Sequence, residues 1–371
     1  MEGLLSALTW AAVGLVLLLV LAFAALAAWA YCGFKPKPTP GKLKNGMEIK
    51  QLQQYETDFL DKEIFQDACY RTGIIKFKAG DTIVDAGANI GLFSLWALQE
   101  CGGDARILSF EPMPTTFACL AANAEKHGAG GKIKAFNVGL SDADAQVTFD
   151  HHPFMSIWST TDGAMDENRM ARLAHDMPTA IAAGLSAEGS PLAVVPVWVW
   201  RALVSIFLVR AGETEKVPAT LKKLGDILDT ESISHIDLLK VDVEGAELQV
   251  LQGLRPEQWA GIQQVTLEVE DFATVRTLRA LLQKQGFNVA WRATELEQVV
   301  EALNKSGQSA TEVNSQVSHM FATRAALPAW LKLDEEGRML QSEVGEEAAS
   351  PVPAASPKAA SASPRRRRRE D

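Results

Sequence analysis

At 371 residues, with a formal net charge of −10, the chain is long enough for one large α/β domain with appendages. The acidic balance argues against a general nucleic-acid-binding protein, whose surface needs an excess of basic residues. No C-x-x-C spacing is present, so we expect reduced thiols rather than a disulfide framework or a zinc site at Cys32, Cys69, Cys101 and Cys119.

The first predicted element is an apolar segment, residues 4–31, which contains no charged residue. It exceeds the roughly 20 residues that cross the hydrocarbon core of a bilayer, and Trp10 and Trp29 are spaced as aromatics at the two interfaces. Unlike a cleaved signal peptide, it begins with an acid, Glu2, and its lysines follow at positions 35–44. We therefore predict a single-pass membrane protein whose large domain after the anchor is cytoplasmic, because basic flanks stay on that side.

A Pro-rich, basic stretch after this segment predicts a stiff linker. It leads into a helix that carries Tyr55 and Phe59, so we assign residues 35–65 to a linker and a lead-in helix. Cys32 lies at the predicted membrane edge, where the sequence is compatible with S-palmitoylation and with an unmodified thiol.

The most informative stretch of the first half is Thr82–Phe93. A β-branched run ends at Asp85 and passes through Gly87 and Gly91 into an apolar helix, which predicts a buried strand, a tight turn and a helix start. The glycines permit a sharp bend and the close approach of a ligand, and the helix N-terminus offers N–H groups. A ligand with a cationic amine, a carboxylate and a ribose, such as S-adenosylmethionine (SAM), suits this turn; a plain strand-to-helix turn is the alternative.

Two further acids follow the next predicted strands. Glu111 ends strand 106–110, about twenty residues beyond the glycine turn, where an acid binds ribose hydroxyls in doubly wound folds; a helix-capping carboxylate is the alternative. Ser141 and Asp142 follow a third strand, 133–140, and they either contact an adenine ring or form a turn.

Residues 151–230 are too numerous for an ordinary connection between two strands. Within them, residues 191–209 are apolar except for Arg201. We do not expect this run to cross the membrane, because one crossing would separate strands of a single sheet. An arginine near its middle would also cost roughly 2.5–3.5 kcal/mol. A lid, a membrane-surface patch and a buried element are the interpretations that fit.

The second informative stretch is Ile236–Glu247, an apolar strand that ends in acids and opens a helix. Asp242, Glu244 and Glu247 lie within six residues of one another, and like charges this close raise one another's pKa. Such clusters often mark functional sites. An acid at a solvated helix N-terminus explains Glu247, but it does not explain Asp242, which interrupts an apolar strand.

The rest of the domain repeats the same pattern. Residues 265–271 form an apolar strand that ends in acids, with Glu270 among them, and residues 287–291 and 317–322 are predicted to form a final antiparallel pair. Residues 326–371 become acidic, then rich in Pro, Ala and Ser, and finish in arginines. This composition predicts a disordered tail.

Together, the motifs V-D-A-G-A-N-I-G-L-F-S, S-F-E-P, N-V-G-L-S-D and I-D-L-L-K-V-D-V-E-G-A-E-L resemble the FkbM-type SAM-dependent methyltransferases. The resemblance covers about residues 82–322. It implies a class I methyltransferase fold, which is Rossmann-like α/β with a seven-stranded, mostly parallel sheet. We expect a long insertion at about 151–230, before the fourth strand, in a domain spanning 66–325, behind an anchor at 1–34 with its transmembrane helix. The residues that the resemblance assigns to the cofactor SAM are Asp85, Gly87, Asn89, Gly91, Glu111 and Asp142.

The resemblance also implies methyl transfer, usually to a hydroxyl. Asp242 and Glu244 would then face the reaction centre, with Glu244 or Glu270 accepting a proton and Asp242 orienting the donor or the base. Some family members have E-V-H-D where this chain has E-V-E-D, so a histidine base is missing at that place. We predict no metal site, because an ion between Asp242 and Glu244 has no obvious third ligand.

We expect the methyl acceptor to be a small molecule, a lipid or a glycan near a membrane, and we expect no nucleic-acid partner. A catalytically inactive, membrane-tethered interaction protein that keeps the fold is the main alternative, and it predicts no SAM binding. The missing third glycine disfavours a Rossmann oxidoreductase. The sequence Asp242–Gly245 after the fourth strand lacks the Asp/Asn-Pro-Pro-Tyr/Phe loop of N-methyltransferases, which favours oxygen as the acceptor atom.

Overall fold

The computed structural model describes residues 36–128, 130–153, 195–269, 272–293 and 318–340, with isolated positions between 25 and 182. Its strands are β1 (Thr39–Lys42), β2 (Glu48–Gln51), β3 (Asp81–Ala86), β4 (Ala105–Phe110), β5 (Ile133–Phe136), β6 (Gly139–Ser141), β7 (Ala145–His151), β8 (Glu215–Lys223), β9 (Leu238–Val241), β10 (Gln264–Val269), β11 (Asn288–Ala293) and β12 (Ser318–Thr323). Its α-helices are α1 (Gln54–Asp61), α2 (Leu92–Glu100), α3 (Pro114–His127), α4 (Val197–Ala211), α5 (Leu224–Thr230), α6 (Glu247–Gln252) and α7 (Phe272–Lys284). A π-helical turn, Lys62–Gln66, follows α1, and a 3₁₀ turn lies at Gln258–Gly261.

Seven strands form the central sheet, in the order β11-β12-β10-β9-β3-β4-β5. The pairs β3–β4, β4–β5, β3–β9 and β9–β10 are parallel, whereas β12 is antiparallel to both of its neighbours, β10 and β11. The expected seven-stranded, mostly parallel sheet with a final antiparallel pair is therefore confirmed. The parallel strands end at one edge of the sheet, and the loops that follow β3, β4 and β9 meet there.

Helices cover both faces of this sheet, so its strands are apolar on both sides. In β3, Val84 and Ala86 pack on one face with Val250 of α6, while Ile83 packs on the other face with Phe93 of α2. Each fully buried apolar side chain of this size contributes about 1.5–3 kcal/mol. The close packing fixes the strand ends from which the loops of the site project.

The connection between β5 and β9 contains a second, three-stranded sheet in the order β6-β8-β7. β8 returns from the insertion to pair parallel with β6 and antiparallel with β7. Strand β8, which lies inside the predicted insertion, is thereby hydrogen-bonded to strands that precede residue 151, where the insertion was predicted to start. Most of its first half, residues 154–194, lies outside the described residues.

The apolar run at 191–209 forms most of α4, a helix of 15 residues. Within the described ranges, no helix combines the length and the apolar composition that a membrane span requires; the predicted anchor at 4–31 lies outside those ranges. Val204 and Leu208 are buried, whereas Trp198 is 72% exposed. The Phe207 ring lies 6.0 Å from the Tyr55 ring of α1. α4 is thus a half-buried surface helix packed against α1.

The first residues of the predicted disordered tail are ordered and packed. The Trp291 indole donates to the Glu336 carbonyl at 3.0 Å, and the Met339 N–H donates to the Trp291 carbonyl at 2.8 Å. Partly buried Leu333 and Met339 pack on the apolar core. The start of the disordered tail predicted at residue 326 is therefore corrected. A few hydrogen bonds and apolar contacts order the chain up to residue 340, and the average composition of the tail does not reveal them. Residues 341–371 lie outside the described part.

Candidate active site

The glycine turn lies between β3 and α2. Gly87 has φ +76°, and a Cβ there would lie 1.6 Å from the backbone oxygen of Asp242. Gly91 has φ +93°, and a Cβ there would lie 2.8 Å from Leu120 Cδ1 of α3. Glycine is therefore required at position 87 by the approach of the Asp242 backbone and at position 91 by the positive φ. The expectation that these glycines also let a ligand come close stays a prediction.

The N–H groups of the turn are bonded within the fold. Gly87 and Ala88 donate to the Phe110 carbonyl at 3.1 and 2.9 Å, and the Asn89 N–H donates to Glu111 Oε2 at 3.1 Å. The Ile90 N–H donates to Asn89 Oδ1 at 2.7 Å. The acceptor groups around the turn, rather than its N–H groups, are what the site offers to a ligand with amine and hydroxyl groups.

Glu111 connects the turn to the end of β4. Besides Asn89, its carboxylate accepts the Met113 N–H at 2.9 Å, just before α3. Burial raises the pKa of Glu111 to about 7, against the lowering effect of these two N–H groups. The structure thus places Glu111 beside the glycine turn, where a ribose contact requires it, and also gives it the capping contact of the alternative reading. Its ribose role stays a prediction.

Sequence reasoning gave no role to Lys240, which proves to be central. The β3–β9 register pairs it with Asp85, and its Nζ lies 3.2 Å from Asp85 Oδ1 and 3.1 Å from Asp242 Oδ2. Nζ also donates to the Gly87 carbonyl at 2.9 Å. The signal in the sequence was a lysine inside an apolar strand, which needs buried partners. We call Asp85, Lys240 and Asp242 the lysine network.

The two carboxylates of the lysine network differ in exposure. Asp85 is fully buried and accepts the Ser94 hydroxyl at 2.6 Å, so the structure shows it contacting protein groups; a direct cofactor contact stays a prediction. The Asp242 side chain is 29% exposed. Burial lowers the pKa of Lys240, but Asp242 and Asp85 outweigh burial and raise it. Burial raises the pKa of Asp242 to about 6, with Lys240 opposing. Asp242 is the end of the network that reaches solvent.

Four other predicted site residues are placed less directly. Glu244 follows β9 with φ +54°, and Asn89 has φ +49°; both belong to the few non-glycine residues with positive φ in the described ranges, a strain that tends to occur at functional sites. Asp142 is exposed after β6 and accepts the Ser141 hydroxyl at 3.2 Å. Glu270 lies outside the described residues. The roles predicted for all four stay predictions.

A second group of charges, missed by sequence reasoning, lies on the β10 side of Asp242. We call Glu63, Glu268 and His319 the acid–histidine cluster. Glu268 of β10 and His319 of β12 are paired in the sheet register, and His319 Nε2 lies 3.1 Å from Glu268 Oε2 and 3.9 Å from Glu63 Oε1. Glu63 comes from the π-helical turn. In the sequence, the acid–histidine cluster gave only two signals. They are His319, a histidine in an apolar strand, and Glu268, the first acid of E-V-E-D.

The acid–histidine cluster is electrostatically unbalanced. Burial and then the Glu268 charge raise the pKa of Glu63 to about 7, while His319 opposes the shift. Burial lowers the pKa of His319, but Glu268 outweighs burial and raises it. Two carboxylates thus share one imidazole, beside the Asp242 carboxylate.

The same three residues bear on the prediction of no metal site. Their ligand atoms lie within 4.8 Å of one another, which is close enough to share a cation. A metal-bound imidazole, however, almost always donates its second N–H to a partner, and His319 Nδ1 is buried without a hydrogen-bond partner among the described residues. This arrangement fits a proton-handling group better than a metal centre.

Comparison with known proteins is consistent with this geometry. Residues 85–289 match the family described as the methyltransferase FkbM domain. Methyltransferase 1 of Beauveria bassiana is 35% identical over 240 residues, which are 63% of this chain and 82% of that protein. The 31-O-demethyl-FK506 methyltransferase FkbM of Streptomyces tacrolimicus is 30% identical over 266 residues, 70% and 94% of the two chains. The hexuronic acid methyltransferase AglP of Haloferax volcanii is 26% identical over 174 residues, 47% and 50% of the two chains.

The matched region begins at Asp85, near the end of β3, and ends in β11. It therefore contains β4, β9 and β10 together with the loops that follow β3, β4 and β9. The alternative of an inactive interaction protein finds no support in these relatives, since each of the three is named as a methyltransferase. The chain belongs to the FkbM methyltransferase family, and it is a SAM-dependent methyltransferase.

Proposed function

We propose that the enzyme transfers the methyl group of SAM to a hydroxyl oxygen. The observation that carries this proposal is the Asp242 carboxylate, which is held by Lys240 at the end of β9, against the glycine turn, and is partly exposed. A carboxylate there suits a hydroxyl acceptor, which must lose a proton during transfer. The name of the Streptomyces relative, a 31-O-demethyl-FK506 methyltransferase, also indicates oxygen as the acceptor atom in that protein.

The residues at the carboxyl edge of the sheet fit the chemistry of SAM. Its ribose hydroxyls and ammonium group are hydrogen-bond donors, and the site presents acceptors: Glu111 beside the turn and Asp242 opposite it. Glu111 would hold the ribose, and Asp242 lies where a cation is favoured, since its neighbour Glu268 adds negative charge. When bound, SAM supplies a methyl group on a sulfonium, which needs no further activation.

The chain then has two tasks. It must fix the acceptor hydroxyl in line with the methyl group, and such positioning supplies roughly 7–11 kcal/mol of the barrier. It must also remove the hydroxyl proton. Lys240 serves the first task, because its three contacts lock Asp242 to β3 and to the Gly87 carbonyl.

Calorimetry and methyl transfer test the proposal. We expect Glu111→Ala to weaken SAM binding at least tenfold, because it removes the acceptor beside the turn. Glu125→Ala, on the exposed face of α3, is the matched control and should bind SAM like the wild type. With methyl-tritiated SAM, label should appear as a methyl ether on a hydroxyl acceptor, glucuronic acid being one probe. Label recovered only on nitrogen would refute the proposal. A wild-type chain that binds no SAM would instead support the alternative of a catalytically inactive interaction protein.

We further propose that residues 4–31 anchor the enzyme in a membrane with its catalytic domain on the cytoplasmic side, and that the acceptor is a membrane-near small molecule, lipid or glycan. Exposed aromatic side chains on the contacting helices α1 and α4 support a surface that faces a bilayer: Tyr55 is 39%, Phe59 57% and Trp198 72% exposed. Such rings favour the headgroup region.

Membrane fractionation with protease protection tests this second proposal. The full chain should stay in the membrane pellet after a carbonate wash, and its catalytic domain should be digested only when the cytoplasmic face is accessible. Replacing residues 4–31 by a polar sequence should release the protein. Full release of the wild-type chain by the wash would contradict the anchor.

A further inference from the structure

The acid–histidine cluster presents its carboxylates, and not its imidazole, to the outside. The side chains of Glu63 and Glu268 are 28% and 29% exposed, whereas that of His319 is 2% exposed. The His319 ring stacks on Tyr70 with 5.9 Å between ring centroids. A substrate can therefore reach a carboxylate of this cluster but not the ring behind it.

The orientation of the ring also excludes His319 as the proton acceptor. Its Nε2 faces Glu268 Oε2 at 3.1 Å, and with Glu268 ionised, and so only an acceptor, Nε2 must carry the proton and donate it to that carboxylate. Nδ1 is buried and has no partner among the described residues. His319 thus fixes the charge and direction of Glu268, and it leaves Glu63, at 3.9 Å, outside hydrogen-bond distance.

Glu63 owes its position to an irregular helix. The π-helical turn Lys62–Gln66 continues directly from α1, and the Asp67 N–H donates to the Lys62 carbonyl at 2.7 Å, the i→i+5 bond of a π-helix. π-helical turns inside helices occur frequently at functional sites. The extra residue in this turn brings Glu63 to His319 of β12 and Glu268 of β10.

We propose that the Glu63 carboxylate accepts the proton of the acceptor hydroxyl during methyl transfer, with Glu268 and His319 setting the charge around it. This inference rests on the proposed function. The O–H bond of the acceptor breaks and its proton goes to Glu63. An oxygen electron pair forms the new O–C bond, and the C–S electron pair returns to sulfur, so that the cofactor leaves as the neutral thioether. Glu63 then releases its proton to solvent.

The charged groups around Glu63 agree with this role. Glu268 of β10 and Asp242 of β9 raise its pKa, while His319 of β12 and Lys240 of β9 lower it. The charge of Arg292 of β11 lowers the pKa of His319. Burial is the largest cause, and the pKa of Glu63 reaches about 7. Near neutral pH a substantial fraction of the Glu63 carboxyl groups is therefore ionised, and the carboxylate is basic enough to serve as a proton acceptor.

The experiment compares Glu63→Gln, Glu63→Asp and the control Glu125→Gln in the full chain. We expect Glu63→Gln to lower kcat about 10²–10⁴-fold, while calorimetry finds SAM affinity within twofold of the wild type. Glu63→Asp should retain an intermediate rate with its pH profile displaced. The wild-type kcat should rise with pH and level off above about pH 7, and this rise should be lost in Glu63→Gln. The control should match the wild type throughout.

Each result separates this inference from the proposed function. If the wild type transfers label to a hydroxyl and Glu63→Gln does so within threefold of the same rate, the inference is wrong and the proposed function stands. If the wild type transfers none, the proposed function itself has failed. Should Glu63→Gln not fold, the pH profile of Glu63→Asp decides: an inflection identical to that of the wild type overturns the role. A wild-type rate that is abolished by EDTA and restored by Mg²⁺ or Mn²⁺ overturns it in favour of a cation site.

Discussion

The carboxyl edge of the sheet carries two groups of buried charge that are built differently. In the lysine network, two carboxylates share a lysine whose pKa they raise, and the cation also contacts the Gly87 carbonyl. In the acid–histidine cluster, two carboxylates share an imidazole, and one of them lies at 3.9 Å. The lysine network pairs its charges and holds β3 and β9 together. The acid–histidine cluster retains a carboxylate, Glu63, whose pKa is about 7.

This difference indicates that the two groups at the carboxyl edge of the sheet have different roles. A buried lysine between two acids stays charged across the physiological range, so it suits a structural task that must not change with pH. A carboxylate with an incomplete partner changes its charge near pH 7 and suits proton transfer. Asp242 belongs to the first group and lies beside the second, so it connects the two.

The largest expected effect comes from the backbone contact beneath the lysine network. Gly87→Ala places a Cβ 1.6 Å from the Asp242 carbonyl oxygen, and a backbone atom cannot rotate away. Gly80→Ala is the matched control, because Gly80 has φ +88° but nothing within 4 Å of the new Cβ. We expect urea unfolding to show a loss of about 1–2 kcal/mol for the control, from the positive φ alone. Gly87→Ala should lose more than about 4 kcal/mol and also lose SAM binding. Equal losses would show that β3 and β9 do not approach as described.

Removing the shared cation should have the next largest effect. Lys240→Met leaves Asp85 and Asp242 without their partner, and breaking a buried ion pair in this way costs about 3–5 kcal/mol. Lys222→Met, which breaks the exposed pair with Asp144, should leave the free energy of unfolding close to that of the wild type, because exposed ion pairs contribute little. Urea unfolding of both variants at pH 7 measures the contrast. A loss below 1 kcal/mol for Lys240→Met would mean that the lysine network does not stabilise the edge.

The smallest effect concerns the pH dependence of stability. The pKa values of Glu63 and Glu111 reach about 7, and that of Asp242 about 6, all above their values in the unfolded chain. The folded state therefore binds more protons between about pH 4.5 and pH 7, so stability is highest at the acidic end of this window and falls as the pH rises. Thermal unfolding between pH 5 and pH 8 should show this fall.

The variant Glu63→Gln removes one of these titrating groups, so its stability should decline less steeply from pH 5 to pH 8. The raised pKa of His319 contributes in the same direction and should preserve part of the slope. Glu125→Gln should keep the full wild-type slope. Identical slopes for wild type and Glu63→Gln would show that Glu63 titrates at its ordinary pKa and is not part of an unbalanced cluster.

Much of the fold was readable from local patterns. The run from Thr82 to Phe93 predicted a strand, a tight turn and a helix, and the structure has β3, the glycine turn and α2 there. The apolar run at 191–209 was predicted not to cross the membrane, because strands before and after it had to share one sheet, and its described part lies in the 15-residue helix α4. The tail boundary at 326 was wrong, because order up to residue 340 depends on a few contacts such as Trp291 to Glu336.

The candidate site was readable only in part. Asp242 stood out because it interrupts an apolar strand. Lys240 and His319 carried only the general signal of a polar side chain inside an apolar strand, and Glu63 carried none. The neighbours that define these three residues come from strands or turns far away in sequence.

The sequence by itself determined the elements, the glycine turn and the family, because hydrophobic periodicity, positive-φ glycines and short motifs are local properties of the chain. Only the tertiary structure decided which charges meet. The parallel register of β3 and β9 sets Asp85 opposite Lys240, and the antiparallel register of β10 and β12 sets Glu268 opposite His319. A shift of one residue in either register would turn these side chains to the other face of the sheet, and no local pattern in the sequence records that choice.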